Sequence, residues 1–118
     1  MSEFVRVASL DDLPPGAIRA VAVDGEEIAL YNIDGVVHAT RDSCTHERFP
    51  LSKGELCGRV VTCALHHWKY DVTTGRCETN PSLHVRRWEV RVDGRDILVR
   101  LVPLPPPEPP RFVSRDDA

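Results

Sequence analysis

Two short stretches of this chain hold residue types capable of metal chemistry. Cys44-Thr45-His46 and, after sixteen intervening residues, Cys63-Ala64-Leu65-His66 each pair a thiol with an imidazole. Together they offer two sulfur and two nitrogen donors. Two chemistries use such a set: a single structural zinc ion, or an iron–sulfur cluster with two metals. Zinc sites usually space paired ligands two to four residues apart, because both must reach one ion. A single residue between Cys44 and His46 is tight for that purpose. It suits a two-metal cluster, in which the Cys of each pair reaches one metal and the His reaches its neighbour. Each loop then straddles the whole cluster. The spacing therefore favours iron–sulfur, with a zinc-stabilised, non-redox interaction module as the reading from a different class.

The elements that must position these pairs are strands. Phe4-Val5-Arg6-Val7 alternates, Ser9 to Gly16 reads as a turn or short helical loop stopped by Pro14-Pro15, and Ala17 to Val23 and Glu26 to Ile33 are β-like runs. Asp24-Gly25 joins that last pair, Asp34-Gly35 precedes Val36 to Thr40, and Asp93-Gly94 separates Trp88–Val92 from Asp96–Val102. Asp-Gly between alternating runs is a strong hairpin signal. No window sustains a helical period, so the expected class is all-β and antiparallel. The segment from Asp42 to Pro81 differs in character: it holds all four cysteines plus His46, His66 and His67, punctuated by Gly54, Gly58 and Gly75. Such a loop-rich insertion calls for something other than a core to hold it, and a metal centre would serve. Beyond Leu101, Pro103-Leu104-Pro105-Pro106-Pro107-Glu108-Pro109-Pro110 reads as an extended polyproline tail.

Composition narrows the function. The chain has 118 residues with 42% hydrophobic, which fits one domain with one modest core. No apolar run approaches the ~18–20 residues of a membrane-spanning helix, and the first residues lack the basic start and apolar stretch of a signal peptide. The expectation is a cytoplasmic protein without membrane contact. Thiols stay reduced there, which favours metal ligation over disulfides. The net charge of −3 is unevenly spread: residues 1–40 carry −5, residues 41–102 carry +3 and the remainder −1. The bases are interleaved with acids and form no run, which argues against nucleic acid and suits docking to acidic protein surfaces.

The surroundings of the two pairs sharpen the reading. Cys44-Thr45-His46, Pro50-Leu51-Ser52, Gly54-Glu55, Val61-Thr62-Cys63, Tyr70-Asp71, Thr74-Gly75 and Asn80-Pro81 together resemble the Rieske-type [2Fe–2S] ferredoxins. In Rieske centres two histidines replace two cysteines on one iron. The resemblance spans residues 36 to 101. It implies one [2Fe–2S] cluster, with Cys44, His46, Cys63 and His66 as both metal ligands and cofactor-binding residues. It also implies a Rieske fold of three antiparallel sheets, with Pro81 on a loop capping the cluster and the ligand histidines' ring edges exposed. Trp68 stands where high-potential members have a serine donating to a bridging sulfide. Tyr70 stands where a tyrosine hydroxyl donates to a ligand cysteine sulfur. The disulfide found between the ligand loops of respiratory members is excluded, since its positions hold Phe49 and Leu65. Most members have Gly-Ser where this chain has His67-Trp68, and the pair resembles the ferredoxins of multicomponent toluene and alkene monooxygenases.

The expected layout is a Rieske domain over residues 1–102, with a cluster-binding part at about 42–82 and a proline-rich tail at 103–118. The function implied is one-electron transfer from an NADH-dependent reductase to an oxygenase, a diiron monooxygenase being favoured. A ring-hydroxylating dioxygenase ferredoxin is the alternative, followed by a domain like the small subunit of nitrite reductase. The chain is expected not to be an enzyme itself, since it shows no Gly-x-Gly-x-x-Gly after a strand for a dinucleotide and no segment that reads as a mononuclear iron domain. Cys57 and Cys77 are expected to act as small apolar residues, and His38, His67 and His84 to lie outside the ligand set. Trp68 is open between docking and packing over its loop. Trp88 is expected in the core together with Val90 and Val92.

Overall fold

Turn chemistry sets the frame. The computed structural model describes residues 3–45 and 48–107. β1 (Phe4–Ser9) leads into a 3₁₀ turn, Leu10–Asp12, whose entry is held by the Ser9 hydroxyl accepting the Asp11 N–H at 3.1 Å. β2 (Ile18–Val23), β3 (Glu26–Ile33) and β4 (Val36–Arg41) follow as a meander. Asp24 and Gly25 have φ of +49° and +81°, and Asp34 and Gly35 of +52° and +94°. Positive φ at both central residues gives the turn whose twist matches its flanking strands. The last hairpin joins β8 (Arg87–Asp93) to β9 (Asp96–Pro103), and it differs by one residue from expectation. Asp93 pairs with Asp96, so Gly94-Arg95 forms the turn and Gly94 alone takes positive φ, +63°.

These strands form one antiparallel sheet in the order β1-β9-β8-β4-β3-β2. Its middle is narrow, for β4 meets β8 through only Ala39 opposite Trp88 and Thr40 opposite Arg87. The sheet is thus two three-stranded halves sharing two rungs, which is how an expectation of three sheets meets an observed pair. The second sheet is β5-β6-β7, made of Glu55–Cys57, Val60–Thr62 and Lys69–Asp71. It lies inside the segment read from sequence as a loop-rich insertion, which these three-residue strands leave mostly loop; what is corrected is the expectation that something other than a core must hold it. Leu51, Val61, Tyr70, Val72, Cys77 and Val85 pack with Ala29 and Tyr31 of β3 into a hydrophobic cluster that also contains Cys44 and Cys63. The insertion therefore has a core of its own, fused to one face of the larger sheet. A second cluster, with Leu13, Ile28, Leu30, Trp88, Ile97 and Val99, fills the other face.

Trp88 is buried and Val90 half-buried as expected, but Val92 is 41% exposed because β8 runs out past the core toward its hairpin. The opening of the tail lies against the body. Pro103 pairs opposite Trp88, the Leu104 N–H donates to the Arg87 carbonyl at 2.8 Å, and Pro105, Pro106 and Pro107 line a hollow with Asp71, Arg76 and Arg87. Residues 108–118 lie outside the described residues. No helix among the described residues is long and apolar enough to cross a membrane.

Candidate metal centre

The two Cys–His stretches form loops closed in the same way. In the first, the Cys44 N–H donates to the Phe49 carbonyl at 2.9 Å; in the second, the Cys63 N–H donates to the Trp68 carbonyl at 2.7 Å. Each bond spans five residues and pins the thiol-bearing residue at the mouth of its loop. The first loop leaves β4 through Asp42, whose carboxylate accepts the Ser52 N–H and hydroxyl, both at 2.7 Å. That bracket ties the Cys44 loop to the 3₁₀ turn Leu51–Lys53 ahead of β5. The second loop connects β6 to β7 and turns sharply at His67, whose N–H donates to the Cys63 carbonyl at 2.9 Å. His67 takes φ of +61°, a left-handed conformation that side chains with a Cβ adopt at a cost.

Cys44 and Cys63 are both buried free thiols, and they lie close enough for their sulfurs to interact. Burial pushes the Cys63 thiol up from its ordinary value, and the neighbouring Cys44 adds to that. Hydrogen bonds from the backbone of Leu65 and His66 act in the opposite direction, favouring the thiolate. Backbone N–H groups aimed at a sulfur in a buried pocket are the environment a charged sulfur ligand requires. On the other side, the Tyr70 hydroxyl lies 2.9 Å from Cys44 Sγ. Tyr70 is fully buried, and that burial pushes its phenol up, so it remains a protonated donor. Two juxtaposed buried thiols with donors already arranged around them fit a sulfur-ligated metal cluster.

Of the four expected ligands, the structure brings Cys44 and Cys63 together and leaves His66 exposed at the rim. His46 lies outside the described residues, and among those described no three His, Cys, Asp or Glu side chains gather around one point. Trp68 is half-buried against the core cluster that holds both cysteines, so packing is at least part of its work. Phe49 is likewise half-buried on that cluster, while Leu65 is 41% exposed. Pro81 sits exposed in a turn closed by the Leu83 N–H on the Asn80 carbonyl at 2.9 Å. The residues just after it, His84, Val85 and Arg86, wall a hollow of about 230 Å³ with Cys44 and Thr45. Cys77 is buried and accepts the Asn80 N–H at 3.3 Å, whereas Cys57 is exposed; neither is paired in a disulfide. Strand alternation explains the difference, since β5 turns Leu56 toward the core and Cys57 outward. His67 and His84 are exposed, and His38 is half-buried, with its imidazole pushed toward the neutral form by burial and then by Arg87.

The reading from sequence missed Thr45 and the Leu65 amide. Thr45 stood in the motif, but the partner that gives it a role is 25 residues away. A backbone amide leaves no mark on side-chain pattern at all.

Residues 3–99 match the family described as the Rieske [2Fe-2S] domain. The chain belongs to that family. It is similar to the biphenyl dioxygenase ferredoxin subunit of Pseudomonas sp. strain KKS102, at 40% identity over 81% of this chain and 90% of that protein. It is also similar to the ferredoxin component of the naphthalene 1,2-dioxygenase/salicylate 5-hydroxylase systems of Ralstonia sp., at 34% identity over 83% and 95% of the two chains. Among solved structures, the ferredoxin of carbazole 1,9a-dioxygenase from Nocardioides aromaticivorans IC177 superimposes with a TM-score of 0.78 and 35% identity, covering 91% of this chain and all of that one. The protein is a Rieske-type [2Fe–2S] ferredoxin, an electron-transfer component rather than a catalyst.

Proposed function

We propose that Cys44, His46, Cys63 and His66 hold the cluster, and that the protein carries single electrons from an NADH-dependent reductase to the oxygenase of a ring-hydroxylating dioxygenase system. The observation that carries the ligand set is the pair of loops closed by equivalent bonds, presenting Cys44 and Cys63 side by side in one buried pocket. A bound [2Fe–2S] cluster supplies a reversible one-electron site. The chain's own residues do the rest: the Leu65 and His66 amides and the Tyr70 hydroxyl stabilise charge on the two sulfurs, and the core around Val61, Tyr70 and Val72 excludes water from them. The exposure of His66 supports an imidazole side of the centre that a partner can approach.

The choice of oxygenase rests on the relatives, since ferredoxins named for biphenyl, naphthalene and carbazole dioxygenases share about a third or more of this sequence across most of its length. The expectation of a diiron monooxygenase rested on His67-Trp68. The left-handed φ of His67 weakens that sign, because the loop keeps a conformation suited to the glycine most members have there, and His67 simply occupies it. Purified protein should be brown, with two irons and two sulfides per chain and a Rieske electron paramagnetic resonance signal on reduction. A colourless zinc-loaded protein would instead establish the non-redox module. Turnover reconstituted with a ring-hydroxylating oxygenase, against that with a diiron hydroxylase, decides the partner.

A further inference from the structure

The Tyr70 hydroxyl has more neighbours than Cys44. It lies 2.9 Å from the Thr45 amide nitrogen and 2.8 Å from Thr45 Oγ1, besides 2.9 Å from Cys44 Sγ. A phenol has one proton to give and two lone pairs to fill. The Thr45 N–H can only donate, so it takes one lone pair. A ligating thiolate can only accept, so the phenol proton goes to Cys44 Sγ. The remaining contact is satisfied when the Thr45 hydroxyl donates into the second lone pair. Every hydrogen-bonding position of the buried phenol is then used, and each donor onto its oxygen polarises the O–H that points at sulfur.

We infer that Thr45 is a positioning residue for the reduction potential: its hydroxyl and amide fix the Tyr70 phenol as a donor to Cys44. This rests on the proposed ligand set. Thr45 touches neither metal nor partner in this role and acts only through Tyr70. The competing orientation, with the phenol donating to Thr45 Oγ1, forfeits a charge-assisted bond, which is about twice as strong as a neutral one. Added electron density on the sulfur increases that preference, so the arrangement favours the reduced state.

The test is a redox titration of Thr45→Val, Thr45→Ala and Thr45→Ser, each alone and combined with Tyr70→Phe. Val and Ala remove the hydroxyl and keep the amide; Ser keeps both. The equilibrium constant for reduction should fall about twofold in the Val and Ala variants, ~20 mV at ~59 mV per tenfold for one electron. Ser should restore it. In the Tyr70→Phe background all three should match their parent, because the hydroxyl then has no phenol to act on. An equal fall in both backgrounds, or none in either, overturns the inference. So does loss of the cluster from both Val and Ala variants while Ser retains it, since the hydroxyl would then hold the loop rather than tune the potential. Failure of the ligand set is distinguishable, because the unaltered protein would lack the Rieske spectrum before any Thr45 variant was compared.

Discussion

With Cys44 ligating as the proposed thiolate, which can only accept, the Tyr70 phenol 2.9 Å away donates to it, and this bond should raise the reduction potential because it strengthens as the sulfur gains charge. A hydrogen bond to a charged group contributes about 1.5–3 kcal/mol. At ~59 mV per tenfold, the upper range for Tyr70→Phe is a fall of roughly 60–130 mV. Redox titration of the variant checks this, and an unmoved midpoint would reduce Tyr70 to packing. His67 offers a different test. Left-handed backbone costs a residue with a Cβ about 1–2 kcal/mol, and glycine returns ~0.5–1 of that through its freer unfolded chain. His67 is exposed, so little packing is lost. His67→Gly should therefore stabilise the protein by up to about 1 kcal/mol, read as a higher urea midpoint with unchanged slope. The thiol–imidazole pairs could be read directly from the chain because their spacing is local. Tyr70 acts on a residue 26 positions away, and only its place in a family pattern pointed to Cys44.

At the level of elements, the framework hairpins were legible because Asp-Gly turns and alternating runs are local signals, and the six framework strands fall within two residues of where those signals put them, the last turn shifted by one. The three-residue strands β5, β6 and β7 were not, since three residues are too few to show alternation. Their partners come from the fold, as when Gly75 lies so close to the chain at Val85 that a Cβ would stand 2.6 Å from the Val85 carbonyl oxygen. Gly75 also has φ of +86°. Gly25 has a similar φ, +81°, with nothing within 4 Å of its would-be Cβ. Both Gly→Ala changes should carry the ~1–2 kcal/mol conformational cost, and Gly75→Ala a further ~1–3 kcal/mol for crowding a backbone that cannot yield. Denaturant unfolding of the two variants separates these contributions. Equal losses would mean that the backbone contact between Gly75 and Val85 opens freely.

Over the whole molecule, charge decides how the centre meets its partners. Residues 1–40 carry −5, but Asp11 among them is paired with Arg95 at 2.6 Å. The exposed Arg48 and Lys53 stand by the Cys44 loop and Lys69 by the Cys63 loop, with Glu55 between them in the chain, within a segment of net +3. Two ferric ions, two sulfides and two thiolates sum to no charge, so cluster binding leaves that balance unchanged. Approach of an acidic partner to this face should be accelerated by the field, and the acceleration should fade as the screening length shortens to about 8 Å near 0.15 M salt. Stopped-flow reduction of the protein across a salt series measures this directly. The second-order rate should fall with rising salt, and Lys53→Glu and Lys69→Glu should lower it most at low salt while leaving the reduction potential in place. A rate that rises with salt, or one indifferent to both reversals, would mean the partner meets this face through apolar contact around Leu65 instead, which the 41% exposure of that side chain permits.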